Sequence, residues 1–139
     1  MKKLIAILFI MLTLLIGCES SSAATDDSIV VIGEKFFLTQ VSDIYINKAE
    51  YLGKTIQYEG IFLVYEQPDE KIQMVIRYGP GCCGDDDMAG FEVIWEGDYP
   101  QPNDWVEVVG VLEKYDQHLR INASSLTVLP TRGDEVVFQ

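Results

Sequence analysis

From Thr55 onward apolar and polar residues alternate along the chain, and a period of two predicts strands. Ile56 and Tyr58 fall on one face with Gln57 and Glu59 on the other, and after Gly60 the run from Ile61 to Tyr65 is apolar on both faces. A long strand interrupted by glycine at its middle predicts a bend or bulge that carries it from one sheet layer to another. Pro68-Asp69-Glu70 makes the turn. Ile72, Met74, Ile76 and Tyr78 then alternate with Lys71, Gln73, Val75 and Arg77, which predicts a second strand with an apolar face built from the first set. Phe91, Val93 and Trp95 against Glu92 and Glu96 predict a third strand, and Gly97 to Asp104 is too rich in proline, glycine and aspartate for anything but a loop. Trp105 to Lys114 predicts a fourth strand with Val106, Val108 and Leu112 inward around Gly110. After a turn at Asp116-Gln117, Leu119 to Ile121 and Leu126 to Leu129 predict a fifth, with a slip of phase near Ser124-Ser125 that reads as a bulge.

Ahead of Thr55 the pattern differs. Ile29 to Ile32 is a brief β-branched run, and Gly33-Glu34-Lys35 reads as a turn before Phe36-Phe37-Leu38. Between Leu38 and Leu52, Val41, Tyr45, Ala49 and Leu52 are spaced as on one helical face. Asn47 followed by Glu50 has the form of a capping box and Gly53 is a natural C-terminal stop, predicting one helix or two short helical turns. The whole predicts a mainly β domain: a small five-stranded OB-like Greek-key barrel with a short N-terminal helical element. An immunoglobulin-like sandwich competes, but it wants about seven strands and a paired Cys and Trp spacing that this chain lacks.

The first residues carry a different signal. Met1-Lys2-Lys3, an apolar stretch from Leu4 to Ile16, and Gly17 before Cys18 form the pattern of a lipoprotein signal peptide. The apolar stretch is about 13 residues, short of the roughly 20 that span a bilayer. The expected organisation is a signal peptide at 1–17, a lipidated Cys18 with a flexible linker at 18–28, and an OB-like domain at 29–139. Acyl chains on Cys18, each buried methylene contributing about 0.8 kcal/mol, would hold the protein outside the cell on the bacterial cell membrane. The linker, without a large apolar residue, reaches at most roughly 40 Å.

Charge then narrows the partners. The chain holds 10 basic and 22 acidic residues, a formal −12, and loss of 1–17 removes two lysines and no acid. So acidic a domain is repelled by phosphate backbones and anionic headgroups, so no nucleic-acid partner is expected.

Two neighbouring cysteines, Cys82 and Cys83, sit in the run Tyr78-Gly-Pro-Gly-Cys-Cys-Gly-Asp-Asp-Asp-Met-Ala-Gly90. Residues adjacent in a strand point to opposite faces, whereas the glycines and Pro80 favour a tight turn in which both thiols can converge. Four readings stay open: small residues packed in a glycine corner; a zinc or copper site with Asp85, Asp86 or the lone His118 completing the shell; a bond between the adjacent sulfurs; or intermolecular pairing or a redox role. One contiguous pair is a weak metal signal, because tetrahedral sites commonly use two spaced pairs. Trp105 and Tyr99 flank the prolines of one loop and are the candidates to line a ligand groove, while Trp95 is the candidate for the core. No hydrolase, transferase or phosphate-loop motif is present, and Glu59, Glu92, Glu107 and Glu113 occupy outward strand positions, so enzyme activity is not expected.

Asp43-Ile-Tyr-Ile-Asn47, Tyr51-Leu-Gly-Lys-Thr-Ile-Gln-Tyr-Glu-Gly60, the Cys82-Cys83 turn followed by an acid, and Trp105-Val-Glu-Val-Val-Gly-Val-Leu-Glu113 occur in one order. Together, over roughly Ile29 to Leu129, they resemble the extracytoplasmic C-terminal domain of unknown function of YcgQ-type membrane proteins. Those proteins are regarded as subunits of a two-component permease, so the resemblance implies a membrane permease as partner. Members carry several transmembrane helices before this domain where this chain has the predicted lipid anchor. Their turn resembles Cys-Cys-x-Ala-Asp-Ala, where this chain continues Gly84-Asp85-Asp86-Asp87.

Overall fold

The computed structural model describes residues 28–81 and 84–138, and for 81 and 84–86 the backbone alone. The elements are β1 (Ile29–Val31), a 3-10 turn (Glu34–Phe36), α1 (Phe37–Ile46), α2 (Lys48–Tyr51), β2 (Thr55–Gln67), β3 (Glu70–Gly81), β4 (Gly84–Ile94), β5 (Trp105–Tyr115) and β6 (His118–Val128). Sheet order is β1-β2-β3-β4-β6-β5, and β5 returns to β2, so β2 to β6 close into a five-stranded barrel. Neighbours are antiparallel except β4 with β6 and the short β1 with β2, which run parallel. This is the OB-like arrangement, with the helical element leading into the barrel. Among the described residues no helix is long and apolar enough to cross a membrane.

Closure depends on the bend in β2. Thr55 to Ile61 pair with β5, whereas Ile61 to Gln67 pair with β3. Gly60 sits at the switch, where a Cβ would lie 2.6 Å from the carbonyl oxygen of Ile76. Glycine lets the two backbones approach there. Gly90 is a second such point: its φ is +155° and a Cβ would meet the Val75 carbonyl oxygen at 2.1 Å. The predicted slip in the last strand is a bulge at Ser124, between the pairs Val109 with Ser125 and Gly110 with Ala123. The Ser124 hydroxyl donates to the Val109 carbonyl at 3.1 Å.

Inside the barrel Ile56, Tyr58, Phe62, Val75, Phe91, Val93, Val106, Val108, Leu112 and Ile121 are buried, each large aliphatic or aromatic contributing roughly 1.5–3 kcal/mol by its removal from water. The Tyr58 hydroxyl stitches three strands, donating to the Val75 carbonyl (2.7 Å) and accepting the Phe91 amide (3.2 Å). Burial pushes its ionisation far above the usual tyrosine range. Helix α1 packs on the barrel through Phe37, Val41 and Ile44, spaced i, i+4 and i+7.

Four expectations need correction. The helix face does not run through Tyr45, Ala49 and Leu52, because the helix breaks at Asn47. The Asn47 side chain donates back to Asp43 at 2.7 Å and caps nothing. In β3 the inward positions include Val75 and Arg77, since the register sets Val75 beside Phe62. Ile76 is buried as well, and a strand covered on both faces loses the alternation that would reveal its facing. Finally, the acids after the cysteine pair are strand residues, with Asp87 beside Gly79 and Gly84 beside Gly81.

Arg77 is the one buried charged residue among those described, 3 % exposed. Its Nε donates to the Glu59 carbonyl (2.9 Å), and its Nη1 donates to the Glu34 carboxylate and the Asp134 carbonyl, both at 3.2 Å. The guanidinium lies between the rings of Phe37 and Trp105, 5.0 and 4.9 Å from their centres. It therefore ties the 3-10 turn, β2 and the C-terminal tail to one barrel wall. That tail continues along β3, with the Tyr78 amide donating to the Glu135 carbonyl and the Val137 amide to the Tyr78 carbonyl.

Candidate functional site

The outer surface of β3 and β4 carries a cleft of about 570 Å³, within the range of small-ligand pockets. Two turns set its ends. Glu70 opens β3 just after the Pro68-Asp69 turn, and Tyr115 pairs with His118 around Asp116, whose φ of 51° is left-handed. Ile72 and Met74 come from the outer side of β3 and Glu92 from the adjacent position on β4, where it pairs with Met74. Tyr45 enters from α1, its ring 5.3 Å from Phe91 and nearly parallel to it, its hydroxyl donating to the Gly90 carbonyl at 3.0 Å. Burial raises the Tyr45 ionisation above the usual range, so this phenol stays a neutral donor. The nearly buried Leu119, with half-buried Ile72 and Met74, supplies the apolar part of the lining.

The charges in the cleft are one-sided. Glu70, Glu92 and Asp116 line it, and no lysine or arginine does. None of the three has an ion-pair partner among the described residues. The nearest strand cation, Arg120, pairs with Glu113 at 3.5 Å, and its guanidinium lies 4.3 Å from the ring centre of Tyr115, which lines the cleft. Tyr45 and Met74 also line an adjoining hollow of about 450 Å³ with Ile46 and Met88, so the apolar surface continues towards the helix.

A second cleft, about 660 Å³, lies between the β2–β3 hairpin and the proline loop, lined by Phe62, Val64, Tyr99, Pro100 and Pro102. Tyr99 is already engaged: its ring faces Phe62 at 5.9 Å and its hydroxyl accepts the Trp95 amide at 2.9 Å. The rim charges Lys71 and Glu66 satisfy each other at 3.3 Å. This cleft accordingly has less unused chemistry than the first.

Of the residues singled out in the sequence, Cys18, Cys82 and Cys83 lie outside the described residues, and Asp85 and Asp86 are described as backbone of β4. Gly81 pairs with Gly84 on either side of the cysteines. His118 is in the first cleft. Since β4 and β6 are parallel with Glu92 beside Arg120, His118 is level with Gly90, six residue steps along β4 from Gly84, a reach of roughly 20 Å. It is not brought beside the start of β4. Among the described residues no cluster of three or more His, Cys, Asp or Glu could hold a metal ion.

Trp105 and Tyr99 do not share a groove. Trp105 is 3 % exposed, with its indole N–H on the Glu59 carboxylate at 3.1 Å and its ring against Arg77. Trp95, expected in the core, is the half-buried one of the pair. Met74, Glu70, Glu92, Tyr45 and Tyr115 were not candidates, because each alone looks like a core or solvated position and only the strand register assembles them.

Comparison with curated proteins returns no match. The DUF1980 C-terminal domain matches residues 18–133, which takes in every strand of the barrel, both turns that bound the cleft and the cysteine pair, and the chain belongs to that family.

Proposed function

We propose that this protein is a non-catalytic ligand-binding domain that works outside the cell, held on the bacterial cell membrane by acyl chains on Cys18. The observation that carries the binding role is the cleft between the β2–β3 and β5–β6 turns. On OB barrels that outer face and those connections commonly take ligands, an argument from fold that needs a direct test. Methionine methyl NMR of the full-length protein in non-ionic detergent, screened against soluble fragments, provides it. Fragments that move the Met74 signal and leave Met88 less affected support the cleft; a Met74 signal unmoved by every fragment refutes it. The anchor is tested separately: Cys18→Ala should abolish incorporation of labelled fatty acid and leave the precursor uncleaved, and a variant that is processed and fractionates like the parent refutes the anchor.

A second reading is a zinc- or copper-binding accessory protein that serves a membrane permease through Cys82 and Cys83. The pairing of Gly81 with Gly84 favours it, because two thiols in so short a connection are available to one soft cation. A free-thiol count with elemental analysis decides: stoichiometric metal lost in Cys82→Ser supports this role, and metal-free protein of unchanged stability removes it.

A further inference from the structure

Resting on acylation of Cys18, we infer that an uncharged facet on the outer side of β1, β2 and β5 lies against the headgroup region of the membrane and fixes which way the domain faces. Strand pairing assembles this facet. Ile29 pairs with Thr55 and Thr55 with Val111, while Val31 pairs with Gln57 and Gln57 with Val109. Residues paired across strands share a face. Because Ile56, Tyr58, Val108 and Leu112 fill the core, these two rows point outward. On β6 the rows continue to Asn122 and Ser125. Ile29, Val31 and Val111 are 54 %, 58 % and 38 % exposed, and none of the eight positions carries a charge.

Position, charge and reach name the occupant. Ile29 opens β1, so the facet begins where the tether joins the barrel. The stretch from Cys18 to Ser28 spans at most roughly 40 Å, which holds the β1 end within about one domain width of the bilayer. Lys35, Lys48 and Lys54 offset Glu34, Asp43 and Glu50 over residues 29–54, whereas residues 55–138 hold sixteen acids and five bases. Anionic headgroups therefore repel the rest of the barrel and spare this end. The acids that border the facet are engaged within the protein. Glu107 accepts from the Gln57 amide at 2.9 Å, Glu59 from the Trp105 indole at 3.1 Å, and Glu113 pairs with Arg120 at 3.5 Å. Exposed β-branched aliphatics gain on leaving water, and a contact too weak to capture a free protein becomes occupied once a tether holds the two surfaces together. A second copy on the same facet would bring together two chains of formal charge −12, which repulsion opposes.

The test uses the lipidated protein, isolated from membranes, in nanodiscs of phosphatidylethanolamine and phosphatidylglycerol that carry a headgroup nitroxide lipid. Methyl NMR is the readout. Val31 and Val111 should broaden at least five-fold more than Met74 and Met88 on the β3–β4 wall. Val31→Glu combined with Val111→Glu, two exposed positions where the urea midpoint should stay near the parent's, should remove most of the broadening at Ile29. Equal broadening of Val31 and Met74 shows a domain without a preferred face and overturns the inference while the anchor stands. Broadening at Ile29 that survives both glutamates overturns it as well. Protein that fails to stay with the discs overturns the anchor and the facet together. Facet signals that follow the number of copies per disc and ignore the nitroxide mark a self-association surface and overturn the inference.

Discussion

Replacing Arg77 with methionine isolates what a buried cation does in this barrel. Methionine fills comparable length between the Phe37 and Trp105 rings, so the change is chiefly electrostatic. The carbonyls of Glu59 and Asp134 lose a charged donor, and the Glu34 carboxylate loses one of its partners while keeping the Asp134 amide. Hydrogen bonds to a charged group contribute about 1.5–3 kcal/mol each, while relief of the guanidinium's desolvation offsets part of that. Glu34 is half exposed, so its share is small. The expected net loss is about 3 kcal/mol, or roughly 10–20 °C in Tm for a domain of this size. Urea unfolding measures it as a lower midpoint at unchanged slope. A cycle with Glu34→Gln should give a coupling of roughly 1 kcal/mol. If Arg77→Met matches or exceeds the parent in stability, the carbonyls have found other donors and the account of Arg77 as the tie between tail, turn and β2 is wrong.

Tyr58→Phe removes the hydroxyl shared by Val75 and Phe91 and should cost about 1–3 kcal/mol, read by the same urea midpoint. Gly90→Ala drives a Cβ to 2.1 Å from a carbonyl at positive φ and should cost roughly 3 kcal/mol or more, whereas Gly53→Ala, open around its Cβ, should cost only its left-handed strain of about 1 kcal/mol. The Asp134 amide, with Arg77, holds the Glu34 carboxyl below the usual glutamate range. Its contribution is therefore present above the unfolded-state value and is lost as pH falls through the folded one. Melting curves from pH 7 to pH 3 should show the gap between the parent and Glu34→Gln closing in acid.

Much of the barrel was legible because its strands obey local rules. Gly60 in the middle of an apolar run announced the bend, and the lost phase at Ser124 announced the bulge, since both features change the period of two that side chains must keep. Val106, Val108 and Leu112 turned inward as their spacing demands. What failed depended on partners distant in sequence. Arg77 looked like a solvated outer position until β2 set Val75 beside Phe62, and its burial is tolerable only with acceptors 18, 43 and 57 residues away. Trp105, at the mouth of a proline loop, looked accessible for the same reason: the Glu59 carboxylate and the Arg77 face that hold it are absent from its own segment.

The cleft carries this logic to function. Glu70 follows a turn, Glu92 lies mid-strand and Asp116 tips a hairpin, and each alone reads as an ordinary solvated acid. Closure of β5 onto β2 and the parallel pairing of β4 with β6 bring them to one surface beside Met74 and Tyr45. Glu92, half-buried beside Met74 and without an ion pair among the described residues, should on replacement by glutamine change the stability of the fold by no more than about 0.5 kcal/mol. A urea midpoint for Glu92→Gln close to the parent's would show that this carboxylate is dispensable to the fold and free for whatever occupies the cleft, whereas a large loss would show that it holds the β3–β4 wall together and would refute that reading.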